Sequence, residues 1–425
     1  MREHLPFGID DVKRWNETYP TPFYVYDAEG IRKCVRDLYA AFSWNEGYCE
    51  YFAVKATPTP GILRLLQSLG CGADCASIPE LMLAERSGIT GDHIILSSNE
   101  TLISEYQAAA KLGAIINLDD ITQIAQMEKA IGIPDTVCCR YNPGQFSNTN
   151  GIMGHQYDSK FGMKPDQLLE AYAELRDKGV KHFGLHAMLA SCSLDENYYP
   201  NLARELFTLV LRIHKVLGIN IEFVDFSGGI GIPYRPEEKQ IDIMKVGEAV
   251  HKVYDELIAS NGLKVRILTE MGRYITGPFG YLVTKVVGKK HIYKEYIGVD
   301  ATACNLMRPA MYEAYHHIRV LGRENAPEEI TVDVVGSLCE NNDKFAVNRG
   351  LPRVEEGDYL VIEDAGAHGH SMGYNYNGKL RSAELLMEGD HSISCIRRAQ
   401  TAADYFSTLD VDDTFTAAGA GSVLH

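Results

Sequence analysis

Two regularities and one change of texture predict an α/β barrel followed by a β domain. Between residues 45 and 280, short β-prone runs each end on a polar residue, and a helical stretch follows each of them. The run ends are Lys55, Asp74, Ser97, Asn117, Arg140, His186, Asp225 and Glu270, spaced about 31 residues apart, the length of one strand–helix unit. Eight such units closing on themselves form a TIM barrel, in which chemistry sits at the C-terminal ends of the strands. The polar residues stand at those ends. On rhythm alone, a doubly wound open sheet is the alternative.

Taken in order, the runs are EYFAVK, CGAD, HIILSS, AIIN, TVCCRY, HFGLH, IEFVDF and VRILTE. Between them PTPGILRLLQSLG (58–70), PELMLAERSG (79–88) and LARELFTLVLRIHKVLG (202–218) carry helical patterns, the last with apolar residues at clear helical spacing. After residue 280 the runs YLVTKVVGKK, KEYIGVDA, HIRVLG, EITVDVVGSLC and DYLVIEDAG are short, β-branched and broken by turn residues. No long amphipathic helix is expected there before TAADYFSTLD (401–410), and the final AAGAGSVLH reads as a mobile tail. The expected organisation is therefore an N-terminal segment 1–40 joining the β domain through TPFYVYD, a barrel over 41–280, and a β domain over 281–425.

Composition narrows the class. The chain has 41 Lys and Arg against 57 Asp and Glu, a net charge of −16, so neither nucleic acid nor an anionic membrane is the expected partner. The opening MREHLPFGIDDVKRW is too charged for a signal peptide, and no apolar run approaches membrane length, so a cytoplasmic protein is expected. Its 10 cysteines form no CxxC pair. In a reducing compartment most should be small buried hydrophobes, and no metal is expected.

Three strand ends carry chemistry. Lys55 emerges from an apolar strand, where lost solvation should lower its pKa and free the amine as a nucleophile. FVDFSGGIGIPY (223–234) places Ser227, Gly228, Gly229 and Gly231 after the seventh strand, where glycines let backbone N–H groups approach a phosphate. It matches neither the Walker pattern nor, closely, GxGxxG. ILTEMGRYITG (267–277) puts Glu270, Gly272 and Arg273 at the eighth strand end. Singly, each has a plainer reading: an ion-paired lysine, a tight turn, a local ion pair. Together, an amine, a phosphate loop and a carboxylate describe a pyridoxal 5'-phosphate site, with Glu270 keeping the pyridine protonated.

From TPFYVYD to the penultimate strands the sequence resembles the barrel-type pyridoxal phosphate decarboxylases of basic amino acids, most closely their diaminopimelate branch. YFAVKA resembles the family's YAVKA motif, CGADCASIPEL its DxxSxxE segment, and EMGR its EPGR. MRPAMYEAYH (307–316), GSLCENND (336–343) and YNYNGKLR (374–381) resemble RPALYxAYH, the CES motif and the SNYN segment. The resemblance implies the fold type III barrel shared with alanine racemase, with Lys55 bonded to the cofactor and Asp74 near it. It also implies Gly228, Gly229, Gly272, Arg273 and Tyr376 around the phosphate, and Arg273, Arg308 and Tyr312 on a substrate carboxylate. Cys339 would be the proton donor, Glu340 a substrate contact, and the active site of a homodimer would be shared through these two residues.

Some positions depart from the family pattern. GLHCHIGS reads GLHAMLAS, which puts Met188 where an imidazole stacks on the ring, leaving His186 and Ser191 beside it and Ala190 for a glycine. Met271, Ser227 and His368 are further departures. The expected reaction is decarboxylation of meso-diaminopimelate to L-lysine. The alternatives are decarboxylation of ornithine, lysine (including D-isomers), arginine or carboxynorspermidine, a non-catalytic cofactor-binding regulator, and a metal-dependent barrel hydrolase built on His186 and Asp225.

Overall fold

The computed structural model describes residues 4–146 and 158–410. The terminal tail read above lies outside them. The chain divides into two compact units, whose boundaries fall at Glu29/Gly30 and at Ile275/Thr276; Tyr234–Glu238 belongs to the same unit as the chain from Thr276 on.

The strands in chain order begin with β1 (Phe23–Asp27), followed by β2 (Cys49–Ala53), β3 (Gly72–Cys75), β4 (Ile94–Leu96), β5 (Ile115–Leu118), β6 (Thr136–Arg140), β7 (His182–His186), β8 (Ile221–Asp225) and β9 (Arg266–Thr269). The helices begin with α1 (Ile9–Asn16), α2 (Ala28–Ala41), α3 (Pro60–Gln67), α4 (Ile78–Arg86), α5 (Ile103–Leu112), α6 (Gln123–Ile131), α7 (Pro165–Asp177), α8 (Tyr198–Leu217), α9 (Ile243–Leu257) and α10 (Gly272–Thr276). Strands β2 to β9 close into one parallel barrel. The eight strand ends read from the sequence all fall within two residues of the last residue of a barrel strand: Arg140, His186 and Asp225 end theirs, Asp74 and Asn117 stand one residue before the end, and Lys55, Ser97 and Glu270 follow it.

Strand β2 pairs with β9, which closes the ring. Its interior packs Cys49, Tyr51, Ile95, Ile115, Cys138, Phe223 and Leu268. Gly184 stands opposite Phe223 in the register of β7 on β8. A Cβ at Gly184 would lie 2.1 Å from the Phe223 ring, so the glycine makes room for the aromatic side chain. Helix α8 begins four residues before the stretch read from sequence, because Tyr198 and Tyr199 bury alongside Leu202, Leu206, Val210 and Ile213. It stops at Gly218, whose φ of 68° is left-handed. From Gly30 on, helix α2 belongs to the barrel unit: Tyr39 donates to the Gly70 carbonyl at 2.9 Å.

The other unit contains β1 and, in order, β10 (Gly280–His291), β11 (Glu295–Val299), β12 (Ile318–Val320), β13 (Ile330–Val335), β14 (Lys344–Leu351), β15 (Tyr359–Ile362), β16 (Ala383–Met387) and β17 (Ile393–Arg397). They form a nine-stranded sheet. Strand β1 lies antiparallel to β10 and parallel to β16. Phe7, Val12, Trp15, Phe23, Val25, Tyr281, Val361 and Leu385 share its main core. Its helices are short, and they include α11 (Arg308–Tyr312) and α12 (Ala402–Phe406). The helix expected over 401–410 is thus a single turn or so, capped by the Thr401 side chain on the Asp404 N–H. Seven of the cysteines are buried thiols, while Cys339 and Cys395 are exposed. No helix among the described residues is long and apolar enough to cross a membrane.

Candidate active site

Chain continuity and register bring the barrel's polar strand ends together. Lys55 follows β2 in a single 3-10 turn (Val54–Ala56). Ala53 of β2 is in register with Asp74 of β3, and the Lys55 ammonium lies 3.4 Å from the Asp74 carboxylate. Burial pulls the Lys55 pKa down, but Asp74 and then Glu270 outweigh it, and the net direction is up. The lowered value expected from desolvation is therefore overturned in the chain by itself. Two carboxylates face the amine, and their attraction exceeds the solvation it loses. Burial, with repulsion from Glu270, raises Asp74 to about 7 against the pull of Lys55.

Glu270 follows β9 and is 4% exposed. Its Oε2 accepts a hydrogen bond from the Ser227 hydroxyl at 2.5 Å. His186 Nε2 is 3.7 Å from the same oxygen, too far for a hydrogen bond. Burial would raise this carboxyl, but His186, Lys55 and Ser227 together hold it below the usual carboxylate range. Asp225 is pushed the other way, upward, by burial and by the Glu270 charge. Burial also lowers His186, against the pull of Glu270.

Two loops meet beside this carboxylate. Gly231 donates to the Ser193 carbonyl and Ser193 to the Gly229 carbonyl, at 2.7 and 2.8 Å. Gly229 has φ 98°, and a Cβ there would lie 2.6 Å from the Tyr198 ring. A Cβ at Gly228 would meet the Glu270 carbonyl at 2.7 Å, and one at Gly272 would meet Ala56 at 2.7 Å. These glycines thus form a backbone-lined cradle at the barrel mouth. Met188 and Ser191 lie half-buried on the facing loop. Arg273 sits half-buried in α10.

Sequence reasoning missed two supporting residues. Arg140 ends β6 and pairs with Asp119 at 3.3 Å, while Glu270 and Asp74 both act on its charge. Its place among the run ends was visible, but its partner was not. Glu50 is completely buried and accepts from the Met271 N–H at 2.7 Å and from the Thr269 hydroxyl at 2.5 Å. It fixes the turn that carries Glu270, from 220 residues away in sequence, and no local pattern announces that contact.

The remaining expected site residues belong to the β-sheet unit. Arg308 is 5% exposed, stacked on Tyr234 at 4.5 Å and bonded to His316 Nε2 at 2.9 Å. Tyr312, at the end of α11, is exposed, as are Cys339, Glu340 and Tyr376. Asn377 accepts from the Cys339 N–H at 2.7 Å, which ties the cysteine loop to the segment carrying Tyr376. Asp343 braces that loop by accepting from the N–H groups of Leu338 and Ala303, at 2.8 and 2.6 Å.

Buried polar atoms at the barrel mouth test what the site could hold. Asp74 Oδ1, Asn117 Oδ1, both ring nitrogens of His186, Asp225 Oδ2 and Glu270 Oε1 have no hydrogen-bond partner among the described residues. Such groups are rarely left unmatched in a native interior. His186, Asp225 and Glu270 also offer atoms within 4.8 Å of one another, a spacing that a metal could use. An amine within reach of a buried carboxylate, beside a cradle too tight for any Cβ, fits a phosphorylated aldehyde with a ring nitrogen better. That is the chemistry of pyridoxal phosphate.

A closed parallel barrel with a lysine, a glycine cradle and a buried carboxylate at its mouth defines a barrel-type pyridoxal phosphate enzyme. Residues 30–277 match the family model described as the pyridoxal binding domain of pyridoxal-dependent decarboxylases. The chain belongs to that family: it is a pyridoxal phosphate-dependent amino-acid decarboxylase. It is 41% identical over 388 residues to Protein TabA of Pseudomonas amygdali pv. tabaci, covering 91% of each chain. It is 35% identical to the diaminopimelate decarboxylase of Methanothermobacter thermautotrophicus, covering 94% of each. Among solved structures, diaminopimelate decarboxylase from M. jannaschii in complex with L-lysine superposes with a TM-score of 0.87 at 29% identity, covering 95% of each chain.

Proposed function

We propose that this enzyme decarboxylates meso-2,6-diaminopimelate to L-lysine, as a cytoplasmic homodimer. The observation that carries the substrate is the similarity to a diaminopimelate decarboxylase along 94% of both chains. When bound, pyridoxal phosphate supplies an electron-accepting ring. Lys55 holds its aldehyde, with Asp74 beside the amine, and Glu270 keeps the ring nitrogen protonated. Gly228, Gly229, Gly272, Arg273 and Tyr376 serve its phosphate, while His186, Met188 and Ser191 cover the ring. A methionine can do this through its polarizable sulfur.

Arg273, Arg308 and Tyr312 hold the substrate's distal carboxylate, a task suited to a guanidinium fork. Departure of carbon dioxide leaves an electron pair on the α-carbon, and Cys339 supplies the proton there, with Glu340 on the substrate. Cys339 and Glu340 act in the site of the partner subunit. A substrate with a second carboxylate uses these groups; ornithine and lysine have none to offer.

A second reading draws on the 41% identity to TabA, a relative whose name states no substrate. Met188 and Ser227 are the departures that favour it. Under that reading the enzyme decarboxylates another basic amino acid.

The test is product analysis with purified protein, added pyridoxal phosphate and a panel of meso-diaminopimelate, ornithine, D- and L-lysine, arginine and carboxynorspermidine. Lysine and carbon dioxide from diaminopimelate are expected; turnover of ornithine with none of diaminopimelate would sink the first reading. Lys55→Ala should lose both the activity and the visible absorbance of the bound cofactor, and an unchanged spectrum refutes the lysine assignment.

A further inference from the structure

Ser227 stands immediately before the glycine pair, with φ 54°. This is left-handed backbone, where a side chain is costly and glycine is free of that cost. Its main chain is held from three sides. The N–H donates to Asp225 Oδ1 at 2.7 Å, and the carbonyl accepts from Tyr199 at 2.7 Å and from the Glu270 N–H at 2.8 Å. A glycine could make all three bonds, so none of them explains a serine.

What serine adds is a hydroxyl, within a residue only 1% exposed. It donates to Glu270 Oε2 at 2.5 Å and lies 3.0 Å from Met188 Sδ. A hydroxyl has one proton, and a carboxylate is the far stronger acceptor. The thioether is therefore braced against the oxygen while the proton goes to Glu270. The other carboxylate oxygen, Oε1, stays buried without a partner.

We propose that Ser227 is a positioning residue of this decarboxylase: its hydroxyl clamps Oε2 of Glu270 and braces Met188, reserving Oε1 for the ring nitrogen of pyridoxal phosphate. The proposal rests on the reading that Glu270 serves that nitrogen. A carboxylate that already receives a hydrogen bond is the weaker base, so the proton it shares with the ring stays on nitrogen. Met188 and Ser227 then work as a pair, since the sulfur beneath the ring has the hydroxyl as its support.

Ser227→Gly and Ser227→Ala separate this role from a backbone one. Both remove the hydroxyl, but only glycine accepts φ 54° freely. Purified apoprotein of each is titrated with pyridoxal phosphate, and the ring nitrogen is read by NMR with 15N-labelled cofactor. Both variants should bind the cofactor about ten-fold more weakly, as expected for a lost hydrogen bond to a charged group. Both should shift the 15N resonance toward the unprotonated pyridine. With substrate, kcat should fall while KM holds, and Ser227→Gly should melt no lower than wild type.

Affinity and 15N shift unchanged in both variants, with wild type binding normally, would overturn this proposal alone. A change confined to Ser227→Ala would assign the effect to the backbone and overturn it equally. Wild type failing to bind the cofactor would overturn the reading of Glu270, and this proposal with it.

Discussion

His370 shows how much one buried side chain can govern. It is 5% exposed in the β-sheet unit, packed edge-on against Tyr24 at 5.8 Å. Its Nε2 faces the Ser382 carbonyl at 3.0 Å, and its Nδ1 faces an Arg381 nitrogen at 2.7 Å. An arginine can only donate, so Nδ1 is the acceptor and the ring is neutral. Burial, opposed by Glu384 and reinforced by Arg381 and Arg397, lowers its pKa to about 4. The unfolded chain binds this proton near 6.5, while the folded chain does not until about 4. Between those values the unfolded state holds more protons, so stability rises with pH and is lost as pH falls through that window. The loss is on the order of 3 kcal/mol by pH 4. Denaturant unfolding at pH 7 and pH 4.5 should show His370→Asn losing less stability between the two than wild type. Equal losses would remove His370 as the cause.

At the scale of elements, the barrel's period and its alternating faces do most of the positioning. Gly184 and His186 lie on the same face of β7, so whatever displaces one is felt by the other. A methyl group at Gly184 would meet the Phe223 ring at 2.1 Å, and overpacking of this kind costs about 1–3 kcal/mol. Gly184→Ala should lower Tm, and adding Phe223→Leu should recover much of the loss, a coupling that a double-mutant cycle measures. A single variant as stable as wild type would refute this packing account. Period and face are local properties, which explains why all eight strand ends were legible in the sequence, together with Lys55, Glu270 and the glycine turn. The buried support for the turn at Glu270 was not. Glu50 holds it across the β2–β9 seam, and Ser227 reaches Glu270 from 43 residues away. Neither bond follows from spacing, because both need the barrel to close first. The direction of the Lys55 pKa was misread for the same reason, since the opposing carboxylates arrive on other strands. In the second unit, β14, β16 and β17 were not legible: Asn348, Arg349 and Gly350 interrupt the apolar run of β14, while β16 and β17 are only five residues each and do not alternate strongly.

For the whole molecule, the question is whether one chain makes one complete site. The barrel unit contains Lys55 and Glu270, and the β-sheet unit contains Arg308, Cys339, Glu340 and Tyr376. If the catalytic site is shared between subunits, as proposed above, Lys55→Ala and Cys339→Ala damage different partners of the same site. Each pure variant then has every site broken. A mixed dimer has one site carrying both lesions and one carrying neither. Random exchange of equal amounts makes half the dimers mixed, so activity should recover to about a quarter of wild type. The subunits must first be exchanged, by mild denaturation and refolding or by co-expression. Activity that stays at the level of the two pure variants, while mass analysis shows mixed dimers present, would place both residues in one subunit's own site. The −16 charge of the chain bears on this experiment. Like-charged subunits repel at low salt, so exchange should run faster there, and raising the salt after mixing should slow it.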